Sequence, residues 1–160
     1  MREGLQVRLG AAGDLDAIVA LERATAEAPH WAVANYEAIL GGRDGDSVEG
    51  LQRCLFVAEG AAGLVGFAVG AFAAGVCGEL ESVAVDADWR RAGIGRVLCG
   101  AVVEWCKARG VEAVELEVRA WSAGAIALYE DLGFVEVGRR PGYYREPEED
   151  AVLMRLGLAG

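Results

Sequence analysis

Hydrophobic and polar residues alternate from Leu5 to Leu9 (LQVRL), the period-two pattern of a half-buried strand. Asp14 then precedes Leu15, Ile18 and Val19, whose spacing predicts a helix capped by the Asp14 carboxylate. A second, shorter helix is expected around Tyr36, Ile39 and Leu40. The stretch from Gly41 to Gly50, GGRDGDSVEG, is polar and glycine-rich and reads as a loop. Strands are predicted over Cys54–Ala58, Leu64–Phe72 and Glu79–Val85. From Leu55 to Gly78 the only charge is Glu59, so length alone would allow a membrane span, and Gly66 and Gly70 have the GxxxG spacing. The turn signal Glu59-Gly60-Ala61-Ala62-Gly63 divides this run into two pieces of strand length, which predicts a β-hairpin and no membrane segment.

The most regular helix begins near Gly93. Ile94, Val97, Leu98, Ala101, Val102 and Trp105 fall on one face, Arg109 suits the negative end, and Gly110 is placed to close the helix. Val114, Leu116 and Val118 alternate with Glu115, Glu117 and Arg119, predicting a strand. Ser122 is expected to cap a helix carrying Ala125, Leu128, Tyr129 and Leu132, ended by Gly133. Phe134–Val137 and Ala151–Leu156 read as a final strand pair. With no repeat and no linker, residues 1–160 form one mixed αβ domain whose central strand–helix–strand unit should join parallel neighbours by a right-handed crossover.

Composition narrows the partners. At 54% hydrophobic and 25% charged the chain is globular, and its net charge of −10 argues against direct nucleic-acid binding, which needs a cationic surface. Cys54, Cys77, Cys99 and Cys106 lack the close spacing of a metal or redox pair, and the single histidine, His30, has no second histidine with which to share a metal. No metal is expected. Cys99 and Cys106, seven apart on the predicted helix, read as core residues. With no secretory signal pattern, a reduced cytoplasmic setting is the natural expectation.

The segment Arg90-Arg91-Ala92-Gly93-Ile94-Gly95-Arg96 gathers three arginines in an acidic chain. Its glycines allow successive N–H groups to face one concavity, and the helix start adds positive potential, so the segment suits a phosphate or pyrophosphate. A Rossmann fingerprint would need a third glycine where Leu98 stands, and the Gly-Lys-Ser/Thr of a P-loop is absent.

On these residues the chain resembles the GNAT N-acetyltransferases. Arg90-x-x-Gly93-x-Gly95 is similar to their pyrophosphate-binding motif. Glu115-Leu116-Glu117-Val118-Arg119 and the run AIALYEDLGF from Ala125 to Phe134 resemble the RimI-type branch, which acetylates the N-terminal alanine of a small-subunit ribosomal protein. Tyr143-Tyr144, then Glu149-Asp150-Ala151 and Met154, are similar to its C-terminal hairpin. The resemblance implies an α+β fold with a central mixed sheet of about seven strands flanked by about four helices, and acetyl-coenzyme A as cosubstrate without a metal. It implies that Val83, Ala84 and Val85 form the strand edge that pairs with the pantetheine arm, and that Arg91, Ala92, Gly93, Ile94, Gly95 and Arg96 hold the pyrophosphate. Glu117 would be the general base and Tyr129 the general acid toward the departing thiolate. Where the family commonly has Ser-Asn, this chain has Trp121-Ser122, so Ser122 would meet the cofactor with a hydroxyl instead of an amide; a common asparagine near the tyrosines is Gly142.

These roles are chemically coherent. An α-amino group of pKa about 8 attacks a thioester only when neutral, and a phenol near 10 can protonate a thiolate near 8.5 at small cost. Glu79 and Glu81, on one face of the preceding strand, are rival bases. The leading acceptor is a protein N-terminus, a basic ribosomal protein among the candidates. Glu146, Glu148, Glu149 and Asp150 near the two tyrosines are expected to attract it. A small-molecule amine acetyltransferase and a non-catalytic acyl-coenzyme A sensor are the alternatives.

Overall fold

The computed structural model describes residues 4–25, 31–41, 51–73, 77–90, 92–145 and 148–158. Among these, the chain runs β1 (Gln6–Leu9), α1 (Leu15–Arg23), α2 (Val33–Leu40), β2 (Leu51–Gly60), β3 (Gly63–Ala73), β4 (Gly78–Val85), α3 (Ile94–Ala108), β5 (Ala113–Arg119), α4 (Ala123–Asp131), β6 (Val135–Tyr144) and β7 (Glu149–Gly157). The strands form one mixed sheet in the order β1-β2-β3-β4-β5-β7-β6. All neighbours are antiparallel except β4 and β5, which the α3 crossover makes parallel.

The predicted hairpin is β2–β3, closed at Gly60 and Gly63, so the long uncharged run spans the sheet as two strands. No helix among the described residues is long and apolar enough to cross a membrane. The GxxxG spacing has a different use here. A Cβ on Gly66 would lie 2.9 Å from Leu98 Cδ1, and one on Gly70 would lie 2.4 Å from Val102 Cγ1, so the two glycines form the seat on which α3 rests.

Strand alternation divides the core between the two faces of the sheet. Cys54, Ala58, Ala68, Leu80, Val114, Leu116 and Val118 pack with Ile94, Leu98, Cys99, Val102 and Cys106 of α3. Leu55, Val57, Phe67, Val69 and Ala84 pack on the other face with Ile18, Leu21 and Tyr36. The buried stripe of α3 is centred on Leu98 and Val102 and takes in Cys99 and Cys106, while Val97, Ala101 and Trp105 sit at its margin.

Two readings change. Asp14 occupies the helix start but its carboxylate does not cap α1; it accepts from Arg8 at 2.8 and 3.0 Å and from the Ala11 N–H at 2.7 Å, bracing the 3-10 turn before the helix. β6 continues past Val137 to Tyr144, because an edge strand tolerates Pro141 where its partner-facing N–H is not needed. Only Gly41 of the expected 41–50 loop, and not His30, falls within the described residues.

The pairing of β4 with β5 ends almost at once, at Gly78↔Val114 and Glu79↔Glu115. At that point β4 is bulged against β3: Leu80 faces Gly70 and Ser82 faces Val69, leaving Glu81 without an opposite residue. A bulge bends its strand, and here β4 departs from β5, opening a cleft between their C-terminal halves.

Two glycine substitutions should move stability in opposite directions in chemical denaturation. Gly70→Ala drives a methyl into Val102 and should cost about 1–3 kcal/mol. Gly100→Ala lies inside α3, with nothing within 4 Å of the added Cβ, and should gain about 0.5–1 kcal/mol.

Candidate active site

A groove of about 1200 Å³ passes through the cleft. Its walls are the β4 edge, the start of α3, one side of α4, and the C-terminal half of β5, and Trp31, Tyr143 and Tyr144 complete the lining. Beyond Glu79 no strand among the described residues pairs with the β5-facing edge of β4, so its backbone groups face the groove.

At the α3 end Gly93 holds the N-cap with φ of 83°, a left-handed conformation that disfavours a side chain. The first helical bond runs from the Val97 N–H to the Gly93 carbonyl at 3.1 Å. The N–H groups of Ile94, Gly95 and Arg96 therefore precede the ladder and point outward as donors. Gly95 lets α4 approach: a Cβ there would lie 3.2 Å from Leu128 Cδ2. Arg90 and Arg96 stand on the wall, Arg96 also 3.7 Å from Asp131. The result is an anion cradle.

Most of the predicted residues converge on this groove: Val83, Val85, Gly93, Ile94, Gly95, Arg96, Glu117, Ser122 and Tyr129 all line it. Ala84 does not offer its side chain, which is buried in the core on the α1 side, so it can contribute only backbone. Ala92 packs partly buried against the α3-side core, off the wall. Arg91 lies outside the described residues. Ser122 holds the N-cap of α4, yet its side chain makes no cap bond; its carbonyl accepts from the Ile126 N–H at 3.0 Å.

The other end is rich in carboxylates, most of them matched by arginine. Glu81 pairs with Arg53 at 2.7 Å and Glu117 with Arg140 at 3.5 Å; Glu115, outside the groove lining, pairs with Arg155 at 2.7 Å. Glu79 has no arginine within ion-pair distance among the described residues. Desolvation, followed by the charges of Glu81 and Glu117, raises its pKa above the usual carboxylate range. The Tyr143 hydroxyl engages the Glu117 carboxylate, which raises that phenol's pKa, and burial followed by the Glu117 charge raises that of Tyr144. The Arg140 guanidinium lies 5.4 Å from the Tyr143 ring centre and that of Arg119 lies 4.3 Å from Tyr144. Tyr129 is set edge-on against Phe134 at 6.0 Å.

Two of the acids at the hairpin tip also make local bonds. Asp150 accepts from the Gly142 N–H at 2.9 Å, and Glu149 accepts from the Asp150 N–H at 3.1 Å, so both brace the β6–β7 connection; Glu146 lies outside the described residues. The groove wall itself carries Glu79, Glu81, Glu117 and Asp131. Thr25, Trp31, Arg119 and Arg140 were not among the predicted site residues. Alternation on β5 could have placed Arg119 beside Glu117, whereas Trp31 sits in a segment with no periodicity.

Residues 17–134 match the acetyltransferase (GNAT) family. The chain is 45% identical over 82 residues to the ribosomal protein bS18-alanine N-acetyltransferase of Escherichia coli, covering 50% of this chain and 55% of that one. It is 42% identical over 77 residues to the N-alpha-acetyltransferase RimI of Mycobacterium tuberculosis, covering 48% and 47%. The chain thus spans about half the length of the curated relatives it matches. The crystal structure of the ribosomal-protein-S18-alanine N-acetyltransferase from Escherichia coli superposes with a TM-score of 0.77 at 30% identity, covering 98% of this chain and 95% of that one.

The contact between Glu117 and Tyr143 is open to direct titration. A nearby carboxylate disfavours the phenolate, so Glu117→Gln should lower the Tyr143 pKa toward its ordinary value of 10.0. Ultraviolet difference titration, with Tyr143→Phe to identify the step among the four tyrosines, reads this directly.

Proposed function

The chain belongs to the acetyltransferase (GNAT) family, and on that premise we propose that it transfers the acetyl group of acetyl-coenzyme A to a primary amine, the N-terminal α-amino group of a protein. The observation that carries this reading is the single groove joining an anion cradle at the α3 start to a carboxylate–phenol cluster at the other end. A coenzyme with a pyrophosphate and a long amide-bearing arm fits that arrangement. The cradle of Gly93 to Arg96 would take the pyrophosphate, and the open edge of β4 at Val83 to Val85 would pair with the arm's amides as a strand would. The cosubstrate supplies an activated thioester carbonyl; the remaining work belongs to the protein.

The acceptor amine enters on the face that carries Trp31, Glu79, Glu117 and Tyr143. Glu117 takes the proton of the attacking amine, directly or through water, and Tyr129 protonates the departing thiolate. A backbone N–H of the open β4 edge stabilises the developing oxyanion. Glu79 is the second candidate for the base, favoured by its raised pKa and its lack of an arginine partner. The names of the relatives support an N-terminal alanine of a ribosomal protein as the acceptor, and the acidic wall suits such a basic partner. We place the activity in the cytoplasm, where the cysteines Cys54, Cys77, Cys99 and Cys106, all free, remain reduced. With a net charge of −10, no direct contact with nucleic acid is part of this reading.

Steady-state acetylation of an alanine-initiated peptide tests the assignment. Glu117→Gln should lower turnover by roughly 10²- to 10⁴-fold and Tyr129→Phe by a similar order. Raising the pH should partly rescue Glu117→Gln, because free amine then arises without a base, and should not rescue Tyr129→Phe. If Glu117→Gln stays near full activity while Glu79→Gln loses it, Glu79 is the base. In a separate measurement, acetyl-coenzyme A should raise the Tm of the wild type, and Gly93→Val with Gly95→Val should abolish that shift.

A further inference from the structure

Glu22, in the last turn of α1, is 0% exposed. A carboxylate without access to water is costly unless its oxygens are occupied, so its partners define its purpose. Its Oε2 accepts from the Tyr36 hydroxyl at 2.6 Å and from the backbone N–H of Trp31 at 2.8 Å. Its Oε1 meets the guanidinium of Arg23. That same guanidinium donates to the Trp31 carbonyl at 3.1 Å. Two consecutive residues of α1 therefore grip the backbone of Trp31 at both its donor and its acceptor.

The side chain is held as firmly as the backbone. The Trp31 indole stacks on Tyr36 with centroids 5.5 Å apart, and Tyr36 is locked edge-on against Phe67 at 5.9 Å. Trp31 lines the groove together with Thr25, whose hydroxyl is tied to the Leu21 carbonyl at 2.9 Å. Glu22 itself is sealed off, so any influence it has on a ligand passes through Trp31.

We propose that Glu22 is a positioning residue whose buried carboxylate fixes Trp31 as the aromatic wall of the acceptor end of the groove. This rests on the acetyltransferase reading above and adds a determinant of acceptor binding to it. A rigid indole lining the same groove as Glu79 and Glu117 confines the incoming peptide N-terminus at little entropic cost, since it is ordered before the acceptor arrives. The cradle for the coenzyme, on α3, shares none of these contacts.

The test separates the two substrates. Glu22→Gln should raise KM for an alanine-initiated peptide about tenfold while kcat and the KM for acetyl-coenzyme A stay within about twofold. Trp31→Ala should give the same split, and the double variant should add little to either single one, because both remove the same wall. Tyr36→Phe keeps the carboxylate and removes one of its bonds. It should give a smaller rise of the same kind, and it serves if Glu22→Gln does not fold. Amide hydrogen exchange at Trp31 should accelerate in Glu22→Gln; this arm needs no turnover, so a failure of the clamp and a failure of the acetyltransferase reading are distinguished. Unchanged peptide KM in the folded variants, additive effects of Glu22 and Trp31, or an equal rise in the KM for acetyl-coenzyme A would each overturn the proposal.

Discussion

Everything in the groove depends on the parting of β4 from β5. Parallel strands joined by a helical crossover ordinarily pair along their length, and leaving buried N–H and carbonyl groups unmatched costs about 1–3 kcal/mol apiece. Here only two residue pairs form before the bulge at Glu81 turns β4 aside. The unpaired edge is thus a standing demand for hydrogen bonds, and an extended ligand can meet it where a strand does not. The same parting lets the groove communicate between the two faces of the sheet. The face occupied by α3 supplies the anion cradle, and the face occupied by α1 supplies Trp31 and the carboxylates.

Electrostatics follow that division. The chain carries a net charge of −10, yet two carboxylates on the groove wall are individually balanced: Arg53 serves Glu81 and Arg140 serves Glu117. What remains is a local excess at Glu79, where desolvation and like charge raise the pKa. A weak net attraction for a cation, concentrated at one point, orients an ammonium better than a diffuse acidic surface would. The arginines have a second effect. Arg140 and Arg119 lie over the rings of Tyr143 and Tyr144, and Arg140 also pairs with Glu117, so one side chain neutralises an acid and braces the aromatic wall.

The sequence was most informative where periodicity and backbone chemistry coincide. The α3 stripe, the β5 alternation and the glycines at 93 and 95 each announce a geometry, and each is found in the fold. The elements it misjudged are those decided by tertiary contact. Asp14 had the right position for a cap, but Arg8 lies within 2.8 Å and outcompetes the helix N–H groups for the carboxylate. The predicted strand ends at Val137, and the edge location of β6 lets it continue through Pro141 and Gly142 to Tyr144. Trp31 was invisible for a different reason: a stacked loop residue leaves no trace in local pattern, and Glu22 looks like any surface glutamate until its burial is known.

The seat of α3 ties the core to the chemistry. Leu98 rests on Gly66 and Val102 on Gly70, one helical turn apart, so the helix lies against β3 with no intervening side chain. That close approach fixes the height of Gly93 and the three N–H groups that follow it, relative to the open edge of β4 next door in the sheet. On the proposed reading, the pyrophosphate at the helix start and the arm along the strand belong to one ligand of fixed length. Their spacing is therefore a requirement on the core as much as on the groove. Larger residues at 66 or 70 would lift the cradle without touching any group that binds. In this fold the glycines that resemble a membrane-packing motif, and are far from the chemistry in sequence, set the register in which the coenzyme can be held.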